Sequence, residues 1–364
     1  MSKARELANL GNAYSDGALS NRNMLVNGAM AISQRYGTAA SNLGGSSVFS
    51  VDRFNCFGPS ASSTSTAQQV TDTPAGFKNS LKYTCGTGLS VTGGDYAQIT
   101  QIMEGNNVAH LKWGTVDALG VTVSFWVKSS LTGTFSFGVQ NGPTNRSYVA
   151  QYTIGIANTW EYKTITIAGD TSGTWASDNT PAMRLVWDMG FGYGTTATVD
   201  AWQAGDVHYV AGNVKVNETS GATFYITGVQ LEVGDTATPF EHRSYGDELQ
   251  RCQRYYWRQD ALKANGSYYR FCVGFMTAAT DAYGVVPFPV EMRAIPSISC
   301  PTGGLAAWDS TGVRSGVFNA STDGTNTSSA TIGLIGIVSG IALRPVHILA
   351  AGASNVNISY DAEL

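Results

Sequence analysis

Apolar residues alternate with polar ones through much of the chain, most clearly over 121–128, VTVSFWVK. Val121, Val123, Phe125 and Val127 fall on one face of the predicted strand, and Thr122, Ser124, Trp126 and Lys128 fall on the other. Further strands are predicted at 133–140, 147–154, 161–167, 183–188 and 196–201, with turn residues between them and no helical period. Successive short strands of this kind indicate an antiparallel β-sandwich.

The run from Phe224 to Trp257 organises the rest. Tyr225, Thr227, Val229, Leu231 and Val233 alternate with Phe224, Ile226, Gly228, Gln230 and Glu232. Both sets carry large apolar residues before Gly228, and only the odd set does after it. A strand buried first on both faces and then on one would show this pattern, and so would a bulge at Gly228. Gly234-Asp235 stops the strand and Pro239 opens a connector. Ser244, three residues before Asp247, reads as a helix N-cap. The helix is predicted over 247–257, with Leu249, Cys252, Tyr255 and Tyr256 on one apolar stripe.

These signals divide the chain into three parts. Residues 1–20 form a short helical leader with Ala4, Leu7, Ala8 and Leu10 on its apolar side, too short to be stable alone in water. Residues 21–245 form one sandwich, opened by Met24, Val26 and an Asn27-Gly28 turn or bulge. Within it Arg35, Asp52 and Arg53 are rare charges, expected as a structural ion pair or backbone clamp. Residues 246–364 form the linker helix and a second all-β module that ends on a strand, NISYDAEL. There Pro287 and Pro289 predict an edge strand or a bulge.

Three pieces carry a family resemblance: NMLVNGAMAISQRYG with VDRF (23–54), GVQLEVGDTATPFEHRSYGDELQRCQRYYW (228–257) and VPFPVEMRAIPSIS (286–299). In this order they resemble bacteriophage tail-fibre-like appendage proteins, in which a carbohydrate-binding-module-like jelly roll leads through a short helix into a smaller β domain. The resemblance implies a virion protein that contacts host surface glycans. It further implies anchoring to other virion proteins through residues 1–20, by Leu7 and Leu10, and a homotrimer, with Leu249, Cys252 and Tyr256 packed around the threefold axis. An architectural head-decoration or tail-adaptor protein and a polysaccharide depolymerase are the two alternatives.

Composition narrows the classes. Charged residues are 13%, against a usual value of about 25%, and glycine is abundant at 42. Such a chain suits a turn-rich, extracellular particle component. Its net charge of −4 and the lack of a Lys/Arg cluster argue against nucleic-acid binding. Five widely spaced cysteines without a CxxC pair read as buried free thiols. No apolar stretch follows Lys3 and Arg5, so no signal peptide is expected, and no apolar run of spanning length predicts membrane insertion.

Catalytic chemistry finds little support. The four histidines, His110, His208, His242 and His347, sit in no nucleophile–base motif, and spacing does not pair Asp188, Asp200 or Asp206. The chain is therefore expected not to be an enzyme. Sugar binding needs aromatic faces that stack on pyranose C–H surfaces, with polar groups for the hydroxyls. Trp126 is the leading candidate because alternation places it on the polar face of its strand. Trp160, Trp175, Trp187, Tyr193 and Trp202 cluster in the middle third around MGFGYGTT, and Trp308 is a candidate in the last module. No cofactor is expected; structural calcium, known in jelly rolls, is left open, although no stretch has the oxygen density of an EF-hand loop.

Overall fold

The structure, a computed structural model, describes Lys3, Arg5 and residues 21–59, 64–192, 196–260, 270–300, 305–309, 312–315, 317–321, 325–335, 337, 344–350 and 356–364. The leader helix with Leu7 and Leu10, and Tyr193, lie outside the described residues. The fold is all-β: a jelly-roll sandwich, a nine-residue helix at Tyr245–Gln253, and a second, smaller sandwich. Two units are present, Met1–Glu248 with Leu364, and Leu249–Glu363.

In the first unit the chain runs through β1 (Ser41–Asn42), β2 (Ser47–Val51), β3 (Phe54–Phe57), β4 (Thr66–Val70), β5 (Ser80–Thr84) and β6 (Tyr96–Glu104). It continues through β7 (Val121–Ser129), β8 (Gly133–Asn141), β9 (Arg146–Ile154), β10 (Glu161–Ile167), β11 (Pro181–Phe191), β12 (Trp202–Ala204) and β13 (Thr223–Val233). One sheet has the order β1-β4-β5-β13-β7-β10 and the other β12-β9-β8-β11-β6-β3-β2. The apolar parity of β7 points into the sandwich, where Val121, Val123, Phe125 and Val127 are fully buried. Phe125 meets Trp187 edge-on at 5.7 Å, and Phe137 packs on the same indole at 5.1 Å. The strand expected at 196–201 is absent. Val199 makes a single bridge to Val149, and Asp200, at φ 56°, turns the chain before β12.

β13 lies between β5 and β7 and carries the bulge: its register against β7 shifts between Thr227 and Gln230, and Gly228 sits at φ 62°. Beyond the bulge the polar residues Gln230 and Glu232 are buried as well, so both faces are covered there. The connector covers them: Glu232 accepts the Thr238 N–H at 2.8 Å, and Gln230 Oε1 accepts the Glu241 N–H at 2.8 Å.

The start of the unit docks on that bulge. Asn23 Nδ2 donates to the Val229 carbonyl at 3.0 Å, and the Val229 N–H donates to the Gly28 carbonyl at 2.9 Å. A Cβ at Gly28 would overlap the Val229 carbonyl oxygen, so glycine is required for this approach. Leu25, Met30 and Ile32 fill the core beside it. Asp52 lies 4.0 Å from the Arg35 guanidinium, and Arg53 clamps the Ile102 carbonyl, as expected of these charges.

The helix Tyr245–Gln253 ends earlier than predicted. Ser244 Oγ accepts the Asp247 N–H at 3.2 Å, which caps it. Tyr256 instead starts β14 (Tyr256–Asp260), opposite Asp361 of the last strand. Cys252 and Tyr256 are buried within a single chain, so they are not free to pack around a threefold axis. Leu249 is half-buried.

In the second unit β14 is followed by β15 (Arg270–Met276), β16 (Ala282–Pro287), β17 (Ser297–Ser299), β18 (Leu305–Asp309) and β19 (Gly312–Ser315). Then come β20 (Val317–Ser321), β21 (Ser329–Ile335), β22 (Pro345–Ala350) and β23 (Asn357–Asp361). A three-stranded sheet, β14-β23-β17, and a seven-stranded one, β19-β18-β22-β15-β16-β21-β20, share a core that includes Phe271, Val286, Ile332, Ile348, Ile358 and Tyr360. The final strand is the centre of the smaller sheet. β16 is an interior strand, not the edge that its prolines suggested: Pro287 is its last residue and Pro289 lies past its end, so little of the ladder is lost.

Candidate functional site: the open face of the first sheet

The outward parity of β7 is Thr122, Ser124, Trp126 and Lys128. The first two are covered: Thr122 Oγ1 donates to the Gly234 carbonyl at 2.8 Å, under the connector. Trp126 stays half-exposed, whereas Lys128 is buried beneath Trp160, Tyr225 and Asp72. Strand register places three rows of outward side chains across the sheet. Gln68, Lys82, Tyr225 and Lys128 form one row through β4, β5, β13 and β7. Thr227, Trp126 and Tyr162 form the next, and Thr66, Thr84 and Thr223 flank the first on its other side.

Cation–ring and ring–ring contacts fix this surface. Lys128 Nζ lies 4.3 Å from the Tyr225 ring centre and 5.3 Å from that of Trp160, while Lys82 Nζ lies 5.6 Å from Tyr225. Trp160 meets Tyr225 edge-on at 6.1 Å, and Trp126 meets Tyr162 at 5.3 Å. Asp72 ties the edge of the patch down, accepting from Lys128 and, at 3.2 Å, from Trp160 Nε1. The hydrogen bond from Lys128 holds its carboxyl below the ordinary carboxylate range. Beneath Trp126 the bulge residue Gly228 leaves room where a Cβ would meet Phe77 and the indole edge. Tyr162 is 44% exposed and stands out most.

The patch thus combines four aromatic rings with the Lys82 ammonium, the Gln68 amide and a line of threonine hydroxyls, while the Lys128 ammonium is buried and bound to Asp72. Asp72 is the carboxylate at its edge, engaged by Lys128 and Trp160. The exposed surface of the patch is aromatic carbon beside hydrogen-bonding groups.

The sequence candidates separate. Trp126 and Trp160 come together on this face, joined by Tyr162 and Tyr225, which sequence reasoning had not singled out. Their signal was present: Tyr162 shares parity with Thr164 and Thr166, and Tyr225 with Thr223 and Thr227. Trp187 is a core residue with 0% exposure and offers no ligand surface, because Met183, Leu185 and Trp187 form the inward parity of β11. Trp202 packs at the sandwich end against Trp113 (5.3 Å), Trp175 (5.6 Å) and Tyr148 (5.3 Å). Trp308, in the second unit, stacks on His347 at 5.5 Å beneath the Arg270 guanidinium.

The acidic candidates serve the fold. Asp188 is fully buried, where it accepts the Gly190 N–H at 2.6 Å and Asn213 Nδ2 at 2.5 Å; burial pushes its carboxyl up to about 7. Asp206 lies 2.9 Å from His208, whose ring stacks on Phe191 at 4.1 Å. His242, an exposed residue of the connector, packs against Phe77 and Phe240. Among the described residues no group of three or more His, Cys, Asp or Glu is placed to hold a metal ion.

Neither a protein-family model nor a curated protein matches the chain. Solved structures similar to it include the enzymatically active domain of bacteriophage CBA120 tailspike protein 4, with 12% identity and a TM-score of 0.32. That match covers 58% of this chain and 22% of the tailspike structure. The xylan-binding domain of Xyn10C from Paenibacillus barcinonensis is similar at 10% identity and TM-score 0.29, over 59% of this chain and 96% of that domain. So is TmCBM61 in complex with β-1,4-galactotriose, at 10% identity and TM-score 0.29, over 59% of this chain and 100% of the module.

Proposed function

We propose that this chain is a glycan-binding surface protein, a tail-fibre-like appendage of a bacteriophage particle that touches host polysaccharide through the open face of its first sheet. The observation that carries the binding role is the cluster of Trp126, Tyr162, Trp160 and Tyr225 on one sheet face, bordered by Lys82 and Gln68. Pyranose rings stack their C–H surfaces on such side chains, while ammonium, amide and hydroxyl groups meet the sugar hydroxyls. The virion role rests on the three sequence pieces that resemble tail-fibre-like proteins. Weak contacts of this kind become effective when several copies on one particle raise the local concentration for each next contact.

A glycan array probed with the intact chain tests the binding role. Retention on bacterial surface polysaccharides, reduced in the Tyr162→Ala chain, is the expected result. An array with no retained glycan removes the proposal.

A further inference from the structure

The second unit carries an apolar surface of its own. β22, β15, β16 and β21 are neighbours in the seven-stranded sheet, and their inward parity builds the core through Ile348, Met276, Ala282 and Ile332. The other parity faces outward, and register sets it in two rows. In the first row Phe275 stands between Pro345 and Tyr283, with Gly333 next to Tyr283. In the second, Val273 pairs with His347 and Val285 with Thr331, and the two valines lie side by side just past the Gly274–Gly284 pair. The outer face of an antiparallel sheet is ordinarily polar. Here Val273 is 60%, Phe275 59% and Val285 57% exposed, and Pro345 is exposed beside Phe275. Neither row contains a Lys, Arg, Asp or Glu. Arg270, 5.5 Å from the Trp308 ring, stands outside both. Four strands about 4.8 Å apart and five residues long at about 3.3 Å each cover about 300 Å². That reaches the size of the largest apolar patches on monomers, about 300–600 Å².

The two rows differ in bulk: one carries the rings of Phe275 and Tyr283, the other the shorter side chains of Val273 and Val285. A twofold axis that lies parallel to the sheet and runs across its strands brings two copies face to face with the rows exchanged. Phe275 of each copy then lies over Val273 of the other, and Tyr283 over Val285. Each ring meets a shorter side chain, and no like charges are opposed, so the patch is complementary to itself, as an isologous contact requires. β19 and β20 form opposite edges of the sheet although one residue separates them in sequence, so the sheet curls and its outer face is convex. Two convex faces touch along the stripe of β15 and β16 and bury less than the roughly 1,200–2,000 Å² of a stable complex, which places the contact in the weak, reversible class.

We infer that the outer face of β15 and β16 is a contact between two copies of this chain, paired about a twofold axis through Val273, Phe275, Tyr283 and Val285. This surface shares no residue with the open face of the first sheet, nor with Leu249, Cys252 and Tyr256 of the helix. The pairing therefore stands or falls independently of glycan binding.

The test is sedimentation equilibrium of the intact chain over about 5–500 μM. The mean mass should rise with concentration toward that of two chains. Phe275→Asp and Val273→Lys, both at exposed positions, should each hold the chain at the single-chain mass with its unfolding midpoint kept, while Tyr162→Ala should pair as the native chain does. Mixing the first two variants should restore pairing, because the introduced carboxylate then meets the introduced ammonium at one crossing and the native Phe–Val contact remains at the other. A single-chain mass at every concentration overturns the inference, as does association that survives Phe275→Asp or proceeds to three chains. A mixture that stays unpaired overturns the twofold arrangement. Flotation with phosphatidylethanolamine–phosphatidylglycerol vesicles forms the second arm: a chain that stays single and binds them, but not as Phe275→Asp, assigns the face to a lipid surface and likewise overturns the pair.

Discussion

Glu248 accepts the backbone N–H of Asn27 at 2.5 Å, although 221 residues separate them in sequence. The same carboxylate lies 3.6 Å from Arg243, whose guanidinium donates to the carbonyls of Leu25, at 2.8 Å, and Asn23. Glu241 receives the N–H groups of Asn21 and Asn23, at 2.6 and 2.8 Å. Two of the sequence pieces that carry the family resemblance are therefore the two halves of one buried polar junction, which closes the first unit on its own start.

Removing one member of such a junction strands the others away from water. Glu248→Ala should lower the unfolding free energy of the first unit by about 3 kcal/mol, since it leaves Arg243 and the Asn27 N–H short of a partner. Urea denaturation followed by tryptophan fluorescence checks this. A change within about 0.5 kcal/mol, as for an ordinary surface site, would contradict it.

Gly28 tests the same junction sterically. Its Cβ position is occupied by the Val229 carbonyl oxygen, so Gly28→Ala must push the entering segment off the bulge. A loss of about 2 kcal/mol or more is expected, read as a fall in Tm. Gly94→Ala, at an exposed turn with nothing within 4 Å and no positive φ, provides the comparison and should cost less.

The alternating pattern made the fold legible where each strand has one buried face. β7, β8, β9, β10 and β11 fall where the pattern placed them, within a few residues. The bulge at Gly228 was visible as a break in parity. Legibility failed where covering comes from distant chain. Gln230 and Glu232 read as solvent-facing, yet the connector buries them. At Trp187 the pattern was sufficient and the reading was not: Leu185 and Met183 share its parity, so its place in the core was legible. The open face was half legible, since Trp126 stood out by parity. Its union with Tyr225 depends on the order β13-β7-β10, which no local pattern encodes.

The two tryptophan environments should separate cleanly. Trp187→Ala removes a fully buried indole packed on Phe54, Phe125 and Phe137, and should cost about 3–5 kcal/mol. Trp160→Ala, at the edge of the open face, should cost far less stability and instead reduce glycan retention. Equal stability losses from the two would contradict this placement.

Asp188 gives a pH dependence. Its carboxyl is raised by burial from 3.8 to about 7 in the folded chain, so between these values the folded state holds the proton more tightly than the unfolded state. Its contribution to stability therefore falls as pH rises from about 4 to 7, at up to about 1.4 kcal/mol per pH unit, and is level above and below that window. Carboxylates lowered by their partners, Asp72 among them, act in the opposite sense at lower pH. The difference between the native chain and Asp188→Asn isolates the one group. That difference should vary across pH 4–7 and level off above it; a constant difference would show that Asp188 titrates normally.

The most direct measurement is isothermal titration of an array-selected oligosaccharide into the native chain and into Tyr162→Ala, Trp160→Ala and the two combined. Stacking lost from an exposed ring should weaken binding by about tenfold per substitution, near 1.4 kcal/mol, with unfolding midpoints unchanged for Tyr162→Ala. Affinity untouched in the double variant, with the glycan still bound, would contradict the open face of the first sheet as the place where this protein meets sugar.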